Sequence, residues 1–200
     1  MINKFVKTIH NKYNKFFRFN FFLRYLFTIF FVTIALFLII PNFFNYEKKS
    51  KFILDYLLDN YDYKVTRFEK IKFTSLPFPK LEIKNVIISF NTTSKNLKLK
   101  KLIVYPKLIN IYQYENFQSN KIAFTDSDIS LETSELFDLL NELFKQKNKL
   151  IIKNLDINII NEDEPVIGIK NIKFKNFGYN ENLIQGEIFK KNFKLKLKNN

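Results

Sequence analysis

A mainly β domain with accessory helices, held behind one N-terminal transmembrane helix, is the fold class that the sequence predicts. Three observations carry it. Residues 25–46 run without a charge. From Tyr63 onward apolar residues recur with a period of two. Two amphipathic helical stretches, near 47–62 and 134–147, precede or interrupt the strands. The chain divides accordingly into a basic arm over 1–24, a transmembrane anchor over 25–46, a membrane-proximal amphipathic helix over 47–62 and a β-rich domain over 63–200.

The anchor reads "YLFTIFFVTIALFLIIPNFFNY" from Tyr25 to Tyr46, 22 residues. As a helix rising about 1.5 Å per residue it covers roughly 33 Å, enough for a hydrocarbon core of about 30 Å. Pro41 suits a helix end or a kink near the interface. A cleaved signal peptide would show a shorter apolar region and then a small-residue cleavage site, but "PNFFNYEKK" follows here. An uncleaved anchor is therefore expected. Lys4, Lys7, Lys12, Lys15, Arg18 and Arg24 precede it without an acidic residue, against Lys48, Lys49 and Lys51 beyond it. The larger positive excess places the N-terminus in the cytoplasm and the β-rich domain outside the inner membrane, in the periplasm.

Next comes "YEKKSKFILDYLLDNYDY", in which Phe52, Ile53, Tyr56 and Leu57 recur at helical spacing. This stripe either lies against the membrane or caps the sheet that follows. The strands then read "KVTRFEKIKFTSLPFPKLEIKNVIISF", interrupted at "SLPFP", followed by "NLKLKKLIVYP", "KIAFTDSDISLE", "LIIKNLDINII", "VIGIKNIKFKNF", "LIQGEIF" and "FKLKLK". Turn residues such as "NTTS" and "NEDEP" separate them. One helix, "TSELFDLLNELFKQK", breaks the series. Thr133 or Ser134 can cap it, Lys145 and Lys147 suit its C-terminal dipole, and Leu136, Phe137, Leu139, Leu140, Leu143 and Phe144 form a broad stripe read as packing on the sheet.

The alternation slips phase in four strands. Leu81 and Ile83 are odd, then Val86, Ile88 and Phe90 even. Leu97 and Leu99 give way to Leu102 and Val104, Leu150 and Ile152 to Leu155, Ile157 and Ile159, and Ile167 and Ile169 to Ile172 and Phe174. Successive strand residues point to opposite faces, so each slip either is taken up as a β-bulge, which keeps one apolar face and bends the strand, or moves the apolar set to the other side. If "NTTS" is a hairpin loop, the slips at 84–85 and 100–101 face each other. A loop around Glu162 does the same for those at 153–154 and 170–171. The bulge alternative gives an elongated, curved antiparallel sheet, groove-like, with a continuous apolar side.

The anchor, the short helix, "SLPFPKLEIKNVIIS" and "LIIKNLDINIINEDEPVIGIKNIKF" together resemble the N-terminal part of AsmA-like proteins, the group that includes TamB. The likeness covers most of residues 20–190 and is one of pattern, without a catalytic motif. It implies an inner-membrane protein with a periplasmic β-groove whose apolar interior carries phospholipid or assists outer-membrane assembly. Family members are usually several times longer, so 200 residues would supply only the membrane-proximal start of such a groove.

Composition removes several other classes. There is no Cys, so neither a disulfide framework nor a thiolate zinc site exists, and the single His, His10, lies in the basic arm. Gly168, Gly178 and Gly186 are the only glycines, which leaves no P-loop or dinucleotide fingerprint. "TDSDIS" (Asp126, Asp128) and "NEDEP" (Glu162, Asp163, Glu164) read as turns rather than metal sites, since the EF-hand spacing is absent. The net charge of +14 comes with an excess of Lys, Asn, Ile and Phe of the kind an AT-rich genome encodes. It is read as solvated surface lysine, with no nucleic-acid partner expected. No enzyme, no cofactor and no metal are expected. The expected partners are the membrane and phospholipid acyl chains, which would contact Ile83, Val86, Ile88, Ile152, Leu155, Ile157, Ile169, Ile172 and Phe174; the alternative for these residues is a closed core. A rival reading is a membrane-tethered interaction module that recruits an envelope protein through the C-terminal edge strand of "FKLKLKNN", where Phe193, Leu195 and Leu197 alternate with lysines.

Overall fold

The computed structural model describes residues 2–90, 96–162, 164–176 and 181–198, with side chains in the first helix described at Tyr13, Phe16 and from Arg18 onward. The "NTTS" loop, Asp163, Phe177 and Gly178 lie outside the described residues. The chain forms two units, Met1–Phe43 and Phe44–Asn200.

The first unit is α1 (Ile2–Ile39), in which the basic arm and the apolar segment are one helix of 38 residues. Thr28 and Thr33 each donate their hydroxyl to the carbonyl four residues back, at 2.9 Å, so neither needs water as a partner. At Ile40–Phe43, which contains Pro41, the helix tightens to a 3₁₀ turn, as a residue without an N–H dictates. Asn42 donates its side-chain amide to the Ile39 carbonyl at 3.0 Å there. Arg18–Phe43, 26 residues, is long and apolar enough to cross a membrane. A single N-terminal helix of this kind fits a single-pass anchor or a signal sequence.

The second unit opens with α2 (Ser50–Tyr61), which stops at Asp62 in the left-handed conformation, its N–H reaching the Leu57 and Leu58 carbonyls. Ile53, Leu57 and Tyr61 are buried in the domain core while Phe52 faces out, so this stripe packs on the sheet. Next come β1 (Tyr63–Arg67), β2 (Lys70–Thr74), β3 (Lys80–Phe90), β4 (Asn96–Pro106) and β5 (Ser119–Glu132). They are followed by α3 (Thr133–Lys145), β6 (Leu150–Asn161), β7 (Glu164–Asn176), β8 (Glu181–Ile188) and β9 (Lys191–Lys198). All nine strands join one open sheet in the order β1-β3-β4-β5-β6-β7-β8-β9, with β2 also paired to β3. The sheet is mixed rather than wholly antiparallel. β5 and β6 run parallel, Ile122 beside Leu150 and Ile129 beside Ile157, because α3 carries the chain back to the starting end. "TDSDIS" is not a turn either: it lies inside β5, where Asp126 and Asp128 accept side-chain bonds from Asn154 and Asn158, both at 3.1 Å.

The phase slips keep the apolar set on one face, as bulges between β6 and β7 and as a paired turn-over between β3 and β4. Asn85, Asn154 and Asn171 have φ of 47°, 53° and 52°, the left-handed region that costs most residues about 1–2 kcal/mol and that Asn tolerates best. One such residue lets two neighbours, such as Lys153 and Asn154, both face outward, after which the apolar set returns to the same face. The slips of β3 and β4 face each other with no break in register, since Lys84 pairs with Lys101 and Val86 with Leu99. Those of β6 and β7 are staggered around the Leu155–Ile172 pair, and the Asn171 N–H donates to the Asp156 carboxylate at 2.8 Å. The line extends further than the alternation alone suggests. β1 and β2 break opposite Asn85, where the Asn85 amide meets the Glu69 carboxylate, and β5 has its own left-handed residue at Asp126, φ 52°.

Candidate functional site

α3 is a strongly amphipathic helix whose first turn is closed by its own acids. Glu132, not Thr133 or Ser134, is the N-cap, and its N–H donates to the Glu135 carboxylate at 2.8 Å in a reciprocal capping box. Leu139 and Leu143 are buried against the sheet, Leu136, Leu140 and Phe144 are half-buried, and Phe137 faces solvent. At the far end the chain is tied down through Asn176, a buried side chain. Its carbonyl oxygen accepts the Leu150 N–H at 2.7 Å, and its amide donates to the carbonyls of Gln146 and Asn148 at 3.0 and 2.7 Å. The connection from α3 into β6 is thereby locked to the end of β7.

Between α3 and the sheet lies a cleft of about 290 Å³ lined by 15 side chains, every one apolar. The floor is Ile152, Leu155 and Ile157 from β6, Ile169, Ile172 and Phe174 from β7, and Ile184 from β8; the roof is the apolar face of α3. Phe193, Leu195 and Leu197 of β9 form the open side, with Leu195 at 51% exposure. The bulges at Asn154 and Asn171 are what bring Leu155 and Ile172 into this floor; without them both would face outward. Register sets the mouth. Ile184 pairs with Leu195, and Phe193 pairs with Gly186 and lays its ring where a Cβ on Gly186 would come within 2.8 Å of it.

Six of the nine residues expected at the lipid contact therefore share one cleft: Ile152, Leu155, Ile157, Ile169, Ile172 and Phe174. Ile83 and Ile88 do not, being fully enclosed in the core. Val86, equally enclosed, backs a separate polar recess of about 470 Å³ between the β1–β2 break and β4, alongside Arg67, Glu69, Asn85, Lys98 and Asp128. The cleft also includes residues not expected in it. Sequence pattern reads the α3 leucines as plain packing and Phe193, Leu195 and Leu197 as an edge strand, and it does not single out Ile184. The odd-numbered alternation of Phe193, Leu195 and Leu197 was the available signal; the register to β8 that aims it into the cleft was not.

Chemistry in the cleft is limited to contact. Its lining offers no hydrogen-bond donor, acceptor or charge from a side chain, so it suits apolar groups. Among the described residues no group of three His, Asp or Glu side chains gathers as a metal site. Set against known proteins, the chain matches no family model, no curated protein and no solved structure, so the AsmA-like likeness stands on sequence pattern alone.

Proposed function

We propose that this chain is a single-pass inner-membrane protein whose periplasmic β-domain holds phospholipid acyl chains, acting in lipid handling or outer-membrane assembly in the manner its AsmA-like pattern implies. The observation that carries the reading is the wholly apolar cleft under α3, open along β9. An acyl chain lying there gains about 0.8 kcal/mol for each methylene taken out of water. Its headgroup would stay outside, beyond the exposed edge of β9. The mechanism is passive binding, with no covalent step and no cofactor. The excess of positive charge before the apolar helix supports the orientation, with the N-terminus cytoplasmic.

Purifying the full chain in detergent and identifying co-purifying lipids by mass spectrometry tests the reading, with uptake of a fluorescent fatty acid as the second readout. Bound phospholipid is expected, as is saturable uptake that Leu155→Asp abolishes and Leu195→Asp sharply weakens. A folded chain free of lipid that takes up no fatty acid would sink it. One observation favours a second reading, a tethered interaction module. β9 ends the sheet with its outer backbone edge unpaired among the described residues, beside exposed Leu195 and Leu197. That reading requires a partner strand and no lipid in the cleft, so saturable fatty-acid uptake, present or absent, separates the two.

A further inference from the structure

One end of the sheet carries four large apolar side chains in the open. Leu76 and Phe78 stand on the turn between β2 and β3, and Leu108 and Ile109 on the 3₁₀ turn Leu108–Ile111 that follows β4; Phe78 and Ile109 are each 70% exposed. Register shows that these turns share an end, because Thr74 pairs with Lys80, Leu81 with Val104 and Pro106 with Ser119. Pro77 and Pro79 flank Phe78 and stiffen its turn.

The same end receives the first residues of the domain. Phe44 meets Tyr112 edge-on at 5.6 Å, Tyr46 stacks on Phe73 at 5.5 Å, and the Lys49 ammonium lies 3.8 Å from the centre of the Tyr114 ring. Phe44 is bonded to Phe43, the last residue of the apolar stretch Arg18–Phe43. The residues that pack on this end of the sheet therefore follow directly in the chain on that apolar stretch. Lys48, before α2, and Lys51, in its first turn, are exposed and add the positive charge that anionic headgroups attract.

We infer that the two turns seat in the bilayer interface, with Leu76, Phe78, Leu108 and Ile109 reaching among the upper acyl segments and Lys48 and Lys51 at the phosphates. The inference rests on the reading of α1 as a membrane anchor. Apolar tips with adjacent aromatics and lysines match the interface, where apolar and charged groups are wanted a few ångströms apart. Seated this way, the domain is held by two further points besides its covalent tether, which limits its swing and holds it close to its lipid source.

The chain has no Cys, so single-cysteine variants can carry a polarity-sensitive fluorophore without a background. F78C, I109C, F137C and F31C are labelled in the full chain and reconstituted in vesicles of phosphatidylcholine and phosphatidylglycerol, with and without lipids spin-labelled high on the acyl chain. Labels at 78 and 109 are expected to emit to the blue and to be quenched severalfold by the spin-labelled lipid, whereas position 137, exposed on α3, stays aqueous. Emission at 78 and 109 matching that at 137 overturns the inference. So does a blue shift without lipid quenching, which would mark a protein contact instead. Position 31 separates the failures. With lipid contact at 31 but none at 78 and 109, only the inference falls; without it at 31, the anchor reading falls and takes the inference with it.

Discussion

The two halves of the sheet use the same strand design and end differently. Under α2, the strands β3 and β4 bury Ile83, Val86, Ile88, Leu102 and Val104 completely. Under α3, the corresponding positions of β6 to β9 form a cleft that opens at Leu195 and Leu197. The alternation and the residue types match, so they are not the cause. Coverage is. A helix is about 10 Å across and strands lie about 4.8 Å apart, so one helix covers roughly two strands. In the first half α2 is joined by the β4–β5 connection, whose Ile111, Tyr114 and Phe117 are buried, with Phe117 edge-on to Tyr56 at 5.3 Å. In the second half α3 lies closest to β5 and β6, and Leu195 and Leu197 of β9 stay exposed.

The comparison can be broken most severely at Ile83. Ile83→Ala should cost about 2–5 kcal/mol in urea unfolding, the range for an enclosed aliphatic side chain. Leu140→Ala, at the cleft, should cost clearly less, and equal costs would mean that the cleft is packed shut. Next in size is Asn176→Ala, which strips three hydrogen bonds from the link between α3 and β6. A loss of about 1–3 kcal/mol is expected, together with faster hydrogen exchange at Leu150. Asn154→Ala should cost about 1–2 kcal/mol while Asn154→Gly costs little, because the defect is the left-handed backbone and glycine adopts it freely. If both substitutions behave alike in unfolding experiments, the bulge is not what directs Leu155 inward.

The smallest effect expected near neutral pH is a titration that sharpens the contrast. Burial raises the phenols of Tyr61 and Tyr63, both in the α2 half, above their usual 10. A raised folded-state value means that their contribution to stability is complete below about pH 10 and is lost as the pH climbs beyond it. The cleft is lined by no tyrosine. Alkaline pH should therefore loosen the α2 half first. Near-ultraviolet circular dichroism should fall together with tyrosinate absorbance, and a fall well below pH 10 would contradict this assignment.

Much of this architecture is legible in the residues themselves. An uncharged run from Tyr25 to Tyr46, the strands from Tyr63 onward and both accessory helices follow from period and charge, which are local properties. So do the slips at Lys84-Asn85, Lys153-Asn154 and Lys170-Asn171, because an apolar face must be conserved and Asn is the side chain that accepts the left-handed turn. The slip at Asp126 is harder to read: Ile122 and Phe124 on even positions give way to Ile129 and Leu131 on odd ones, but the polar run between them, "TDSDIS", passes for a turn. The parallel pairing of β5 with β6 is hard to read too, since an amphipathic helix between two strands does not by itself say at which end the next strand begins.

What sequence determined, then, is which face of each strand is apolar, because side-chain direction is set every second residue by the backbone. What tertiary structure alone decided is which of those faces is sealed. Ile83 and Ile172 sit in the same pattern, one beneath a helix and a buried loop, the other beneath a helix too narrow for the strands below it. Coverage depends on the spacing of elements far apart in the chain, and alternation carries no record of that distance.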